Sequence, residues 1–146
     1  MTIRDIITGV RHIGVYVDDM DSAIATYARL FDHEPETLYQ VPAADEPAPD
    51  SRFAFIPVGG IEFELIEPIS DNFKHMVGHP PAGINHIAFT VSDIERAVEL
   101  MQAKGVRLGH VTPDGILDMP RSRVAYFNRD DTGGILIEFV EPGKNA

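Results

Sequence analysis

Apolar positions in this chain alternate over short runs and then change period. From His12 to Val17, Ile13, Val15 and Val17 fall on one face while His12, Gly14 and Tyr16 fall on the other, as in a half-buried strand. Ile87, Phe89 and Val91 stand opposite His86, Ala88 and Thr90 in the same way. Each run passes into a segment of helical period, with stripes at Ile24, Tyr27 and Leu30 and at Ile94, Ala97, Val98 and Met101 that suit packing on a sheet. Acid and hydroxyl residues mark the helix starts, most clearly Ser92 to Glu95, which has the spacing of a capping box, and Gly105 predicts the second helix's stop. Alternation returns in the last strand of each half, where Ile61, Phe63 and Leu65, and then Ile135, Ile137 and Phe139, form an apolar face. Short strands are also expected near 37–41 and near 106–111.

These elements occur twice. VRHIGVYVDDMDSAIATY at 10–27 aligns with INHIAFTVSDIERAVELM at 84–101, an offset of 86 − 12 = 74, and GIEFELIEP at 60–68 aligns with GILIEFVEP at 134–142, where 138 − 64 = 74 again. SRFAFI at 51–56 matches SRVAYF at 122–127 at an offset of 71, so the halves differ in how loop length is distributed. Such a repeat sets the fold before any local assignment does. The prediction is an α+β protein of two βαβββ modules in tandem, about 8–68 and 83–142, within one domain spanning 1–146. VPAADEPAPD at 41–50 has no periodicity and reads as a mobile loop, either a lid or plain disorder, and Pro80, Pro81 and Gly83 in the linker at 69–83 break any helix before them.

Strict alternation turns Glu64 and Glu138 away from the apolar faces of their strands. A glutamate inside an otherwise apolar strand is costly unless it is solvated, paired or bound to a metal. Here the exception recurs at equivalent positions, as do His12 and His86 on the first strands. If the modules are related by a pseudo-twofold axis, His12, Glu64, His86 and Glu138 converge on one centre. Two imidazoles and two carboxylates neutralise a divalent cation and leave positions open for a substrate carbonyl or vicinal oxygens. His33, His75, His79 and His110 have no repeat partners and read as surface residues.

Composition narrows the chemistry. With no cysteine the chain has neither disulfides nor thiolate ligands, which favours the cytoplasm and a borderline or hard ion, one divalent Zn, Ni, Co, Mn or Fe per chain. Twelve Lys and Arg against 23 Asp and Glu give a formal charge of −11, which disfavours nucleic acid and anionic membranes as partners. No basic segment followed by an apolar run opens the chain, and no apolar stretch is long enough to span a bilayer. A small-molecule substrate is the partner that remains.

The segments HIGVYVDDMDSAIATY, ELIEP, GINHIAFTVSDIERAVE and GGILIEF resemble the vicinal-oxygen-chelate superfamily from about Val10 to Pro142, and within it the methylmalonyl-CoA epimerases, with glyoxalase I more distant. The resemblance implies two modules that form a curved mixed sheet around a metal site, with the metal held by His12, Glu64, His86 and Glu138. It further implies a homodimer, and proton abstraction beside a metal-bound carbonyl with Glu138 as the base, in epimerisation or isomerisation of an acyl-CoA-like substrate. In one branch of the epimerases a second catalytic glutamate lies on the strand before the one carrying Glu64, and the alignment puts Arg52 near that place. An arginine cannot act as a base, so Arg52 and its repeat mate Arg123 are expected to hold a substrate anion. The alternatives are a glyoxalase I-like lyase, an extradiol dioxygenase, against which the extra Glu64 counts, and a non-catalytic ligand-binding or resistance protein on the same fold.

Overall fold

The structure, a computed structural model, describes residues 1–77, 83–109 and 115–143. It divides into a contiguous unit, His12–Asn85, and a composite unit of Met1–Arg11 with His86–Ala146. Strand β1 (Ile7–Tyr16) passes from the composite unit into the contiguous one.

In the contiguous unit β1 is followed by α2 (Met20–Leu30), a 3₁₀ turn at Pro35–Thr37, β2 (Tyr39–Val41), β3 (Ser51–Val58), β4 (Ile61–Pro68) and α3 (Asp71–Val77). Asp19 starts α2 by accepting from the Asp21 amide at 3.1 Å and from the Ser22 hydroxyl at 3.0 Å. Strand order is β2-β3-β4-β1, with β1 parallel to β4 and the other pairs antiparallel. Val15, Ala54, Ile56 and Leu65 of the sheet bury against Met20 and Ile24 of α2. Tyr27, Phe31 and Phe63 add edge-to-face contacts there, with centroids 5.9 and 5.6 Å from Phe63. On the other face Tyr16 and Ile66 pack with Phe53 and with Phe73 of α3. The expected alternation of β1 and β4 therefore holds, with both faces partly covered.

The composite unit holds α1 (Ile3–Ile6), the start of β1, β5 (Gly83–Val91) from His86 onward, α4 (Ile94–Ala103), β6 (Leu117–Met119), β7 (Ser122–Tyr126) and β8 (Leu136–Pro142). Its strands run β5-β8-β7-β6, with β5 parallel to β8 and the rest antiparallel. Ile94, Ala97 and Val98 of α4 close over Val91, Ala125, Phe127 and Phe139, and Ile6 completes this core from the chain's first helix. Phe127 and Phe139 meet edge to face at 4.8 Å.

Several expectations shift on contact with tertiary structure. The cap of α4 is Asp93, whose carboxylate accepts from the Arg96 amide at 3.0 Å, because Ser92 instead donates its amide and hydroxyl to the Ile6 carbonyl. Gly105 ends α4 as expected, at φ +82, where a side chain would be strained. Of the strand expected near 106–111, the described residues 106–109 hold one isolated bridge, Leu108 to Phe127, and β7 pairs with β6 further on. Leu30, at the last residue of α2, and Ile135, ahead of β8, are exposed, since neither lies where its element meets the core. Part of that expected strand, together with His79, Pro80, Pro81 and His110, falls outside the described residues. Among the described residues no helix is long and apolar enough to cross a membrane.

The carboxylate of Glu67 caps the first turn of α2, accepting from the Met20 amide at 2.6 Å, and Glu141 does the same for α4 through the Ile94 amide at 3.4 Å. Glu67→Gln is expected to lower stability by about 1 kcal/mol in urea denaturation, the usual loss for a helix cap, with a smaller loss for Glu141→Gln. An unchanged midpoint for both would mean that water serves these amides equally well. Arg107 ties the segment after α4 to the 3₁₀ turn at Arg129–Asp131 through Asp131 at 2.9 Å, and its guanidinium holds the Asp131 carboxyl below its ordinary value. That contribution is present above the unfolded carboxyl's pKa and is lost as pH falls through the lowered folded value. Asp131→Asn should therefore lower the melting temperature at pH 7, and the difference from wild type should vanish under strongly acid conditions. A difference that persists there would point to packing instead.

Candidate metal centre

Within each unit the histidine and glutamate expected as ligands are brought together by parallel pairing of its first and last strands. In the contiguous unit the register opposes His12 to Glu62 and Gly14 to Glu64, so the Glu64 side chain lies over a glycine beside the histidine. In the composite unit it opposes His86 to Leu136 and Ala88 to Glu138, placing alanine under the second glutamate. The small residues leave room for each carboxylate to lean toward the imidazole two positions back. His12 Nε2 stands 3.8 Å from Glu64 Oε2, and His86 Nε2 stands 3.1 Å from Glu138 Oε1. All four side chains are buried; His86 and Glu138 are each only 2% exposed.

An imidazole nitrogen and a carboxylate oxygen facing each other at 3.1 Å are joined either by an N–H that the imidazole donates or by a metal ion that both ligate. Two ligands bonded at about 2.1 Å to one ion are themselves about 3.0–3.4 Å apart, so this pair has the spacing of adjacent ligands. His12, Glu64 and His86 are likewise buried residues of kinds that could hold a metal ion. The donor set of nitrogens and carboxylate oxygens fits the divalent ions expected from the sequence.

The two arginines are placed otherwise. Arg52 pairs across β3 and β4 with Glu67, on the face that carries Ala54 and Leu65, whereas Phe55 is the residue opposite Glu64. Arg123 pairs across β7 and β8 with Glu141, whereas Tyr126 is opposite Glu138. Each arginine thus sits on the helix-covered face of its own unit, opposite to the face that carries that unit's His–Glu pair. Arg52 donates at 3.5 Å to the Glu46 carbonyl. Arg123 meets Glu95 at 2.9 Å, Asp118 at 3.3 Å and Glu141 at 3.6 Å, and these carboxylates, Glu95 first, raise its pKa.

Sequence reasoning missed three features of these sheets. Gly14 and Ala88 were readable as a small-residue match at the same offset, 88 − 14 = 74, and so were the capping glutamates, 141 − 67 = 74. Tyr126, opposite Glu138 and against the His86 ring, was readable only as the aromatic repeat mate of Phe55, 126 − 55 = 71.

Residues 11–126 match the family described as the Glyoxalase/Bleomycin resistance protein/Dioxygenase superfamily. The chain belongs to that superfamily. It is 27% identical to an ethylmalonyl-CoA/methylmalonyl-CoA epimerase of Cereibacter sphaeroides over 137 residues, covering 90% of this chain and 96% of that protein. The crystal structure of methylmalonyl-CoA epimerase from Mycobacterium tuberculosis superposes with a TM-score of 0.74 at 26% identity, covering 96% of this chain and 91% of that one. A variant of Streptomyces coelicolor methylmalonyl-CoA epimerase in complex with 2-nitronate-propionyl-CoA shares the fold, with a TM-score of 0.75 at 22% identity over 92% of this chain and 97% of that one. The expected fold class, α+β with tandem βαβββ modules, is therefore that of the family.

Because Arg123 and Glu141 act together on the first turn of α4, Arg123→Ala and Glu141→Ala should each lower the urea midpoint, and the double variant should lose less than their sum. Strictly additive losses would uncouple the arginine from the cap.

Proposed function

We propose that this protein is a divalent-metal-dependent enzyme that moves the proton α to a carbonyl, as an epimerase or isomerase of an acyl-CoA-like substrate. The observation that carries this reading is the duplicated buried His–Glu pair, seen in a chain similar to methylmalonyl-CoA epimerases over nine-tenths of its length. The metal site comprises His12, Glu64, His86 and Glu138 and holds one ion.

When bound, a divalent ion polarises a substrate carbonyl and so acidifies the adjacent C–H. His12 and His86 offer neutral nitrogens that carry no charge into the site. Glu64 and Glu138 offset the ion's two positive charges, which is what makes burying two carboxylates tolerable. Ala88 and Val140, with Val124 across from Val140, give the sheet face that carries Glu138 an apolar floor. Glu138 takes the α proton and returns it from its own side, which gives exchange; epimerisation requires that the opposite face of the carbon receive its proton from a second donor, a task that Arg52 does not perform. We further propose that the enzyme works in the cytoplasm as a homodimer on a small-molecule substrate, in keeping with its lack of cysteine and its family.

The test is incubation of protein loaded with manganese, cobalt, nickel or zinc with a panel of acyl-CoAs in deuterated water, following exchange by mass spectrometry. Elemental analysis is expected to give one ion per chain, and His12→Ala or His86→Ala should weaken its binding strongly. Glu138→Gln should still bind metal but lose at least about 100-fold in α-proton exchange, the lower range for a positioned base, with a milder loss for Glu64→Gln. Exchange at the wild-type rate in metal-loaded Glu138→Gln would take the base away from this residue, and absence of exchange with every acyl-CoA would sink the reaction class.

A further inference from the structure

The geometry points to Tyr126 as a positioning residue that fixes the imidazole plane of His86 and thereby aims its Nε2 at the place where Glu138 offers its carboxylate. This rests on the reading of His86 and Glu138 as metal ligands. Tyr126 is the cross-strand partner of Glu138 in the β7–β8 ladder, so its side chain rises on the same face of the sheet. Its ring meets the His86 imidazole with centroids 5.6 Å apart and planes at 77°, an edge-to-face arrangement. The last torsion of a histidine is soft and broad, so the backbone alone does not decide which ring atoms face the carboxylate. Two contacts bear on it directly: Nε2 lies 3.1 Å from Glu138 Oε1, and the flat of one ring is held against the edge of the other.

Tyr126 is itself held. It packs against the cluster of Ala88, Val124 and Val140, which are buried at 0%, 5% and 2% exposure, so the ring has a rigid floor. The repeat supports a specific use for an aromatic at this position. Its mate in the first module is Phe55, since 126 − 55 = 71, the offset of the SRFAFI and SRVAYF segments, and Phe55 is the partner of Glu64. An aromatic ring thus stands opposite each of the two glutamates, which singles out the ring rather than the phenol hydroxyl as the shared element. A side chain that orients a ligating histidine from outside the metal shell typically changes metal affinity when it is removed.

Tyr126→Leu fills similar apolar space over Ala88, Val124 and Val140 but removes the ring; Tyr126→Phe keeps the ring and removes the hydroxyl. In metal-free protein, two-bond nitrogen–proton spectra of the histidines should show the His86 carbon-bound protons losing the displacement caused by the neighbouring ring in Tyr126→Leu and keeping it in Tyr126→Phe. With Co²⁺ as probe, Tyr126→Leu should bind roughly 10-fold or more weakly and give altered visible d–d bands, and Tyr126→Phe should restore both. Wild-type His86 resonances and cobalt spectra in Tyr126→Leu would overturn the inference, as would damage in Tyr126→Phe equal to that in Tyr126→Leu. Should wild-type protein bind no Co²⁺, the metal reading of the site would fall, and the metal-free spectra would still decide whether this ring sets the imidazole plane.

Discussion

Two carboxylates are buried in apolar strands, and most of the arrangement around them makes that burial tolerable. An isolated charge moved out of water costs several kcal/mol even after relaxation, so each glutamate needs a partner within reach. The partner is a histidine 52 residues earlier in the chain, since 64 − 12 and 138 − 86 are both 52. Parallel pairing of the first and last strands of a module closes that separation, and it requires a crossover between them, supplied here by the helix and the intervening strands. Gly14 and Ala88 then give each carboxylate space to lean toward its imidazole.

Alternation also lets one short motif do two jobs. In the last strand of each module a glutamate on one face serves the His–Glu pair, while another three residues later points to the opposite face and caps a helix. Period two makes this possible, because an odd separation always changes face. The same rule separates the arginines from the ligands. Arg123 lies with Glu141 and Glu95 at the start of α4, so its charge serves the helix cap and its carboxylates. The polar groups of each sheet are therefore sorted by face: the arginine and the capping glutamate beneath the helix, the His–Glu pair on the other side.

The superfamily and the residue types fit together. Relatives that include methylmalonyl-CoA epimerases share the fold over more than nine-tenths of the chain, and the buried nitrogen and oxygen donors suit a divalent ion. The His–Glu pair of the second module is the closer of the two, at 3.1 Å against 3.8 Å, and the Tyr126 ring lies against its imidazole.

By itself the sequence determined the repeat, the strand–helix order of each module and the face on which His12, Glu64, His86 and Glu138 stand, because these follow from periods of 2 and 3.6 and from a constant offset. Strand extents, the cap of α4 and the neighbours of each side chain were decided only by tertiary structure. Ser92 could not be told from Asp93 as the cap until the Ile6 carbonyl claimed the serine, and the short edge strand of the second module moved to Leu117–Met119 because pairing with β7, rather than local propensity, defines it. Arg52 looked like a substrate contact by alignment, yet its face depends on which residue of β4 it opposes. Register is set by long-range pairing and turn length, and a shift of one residue exchanges the two faces of a sheet, so local pattern constrains it only where one face is plainly apolar.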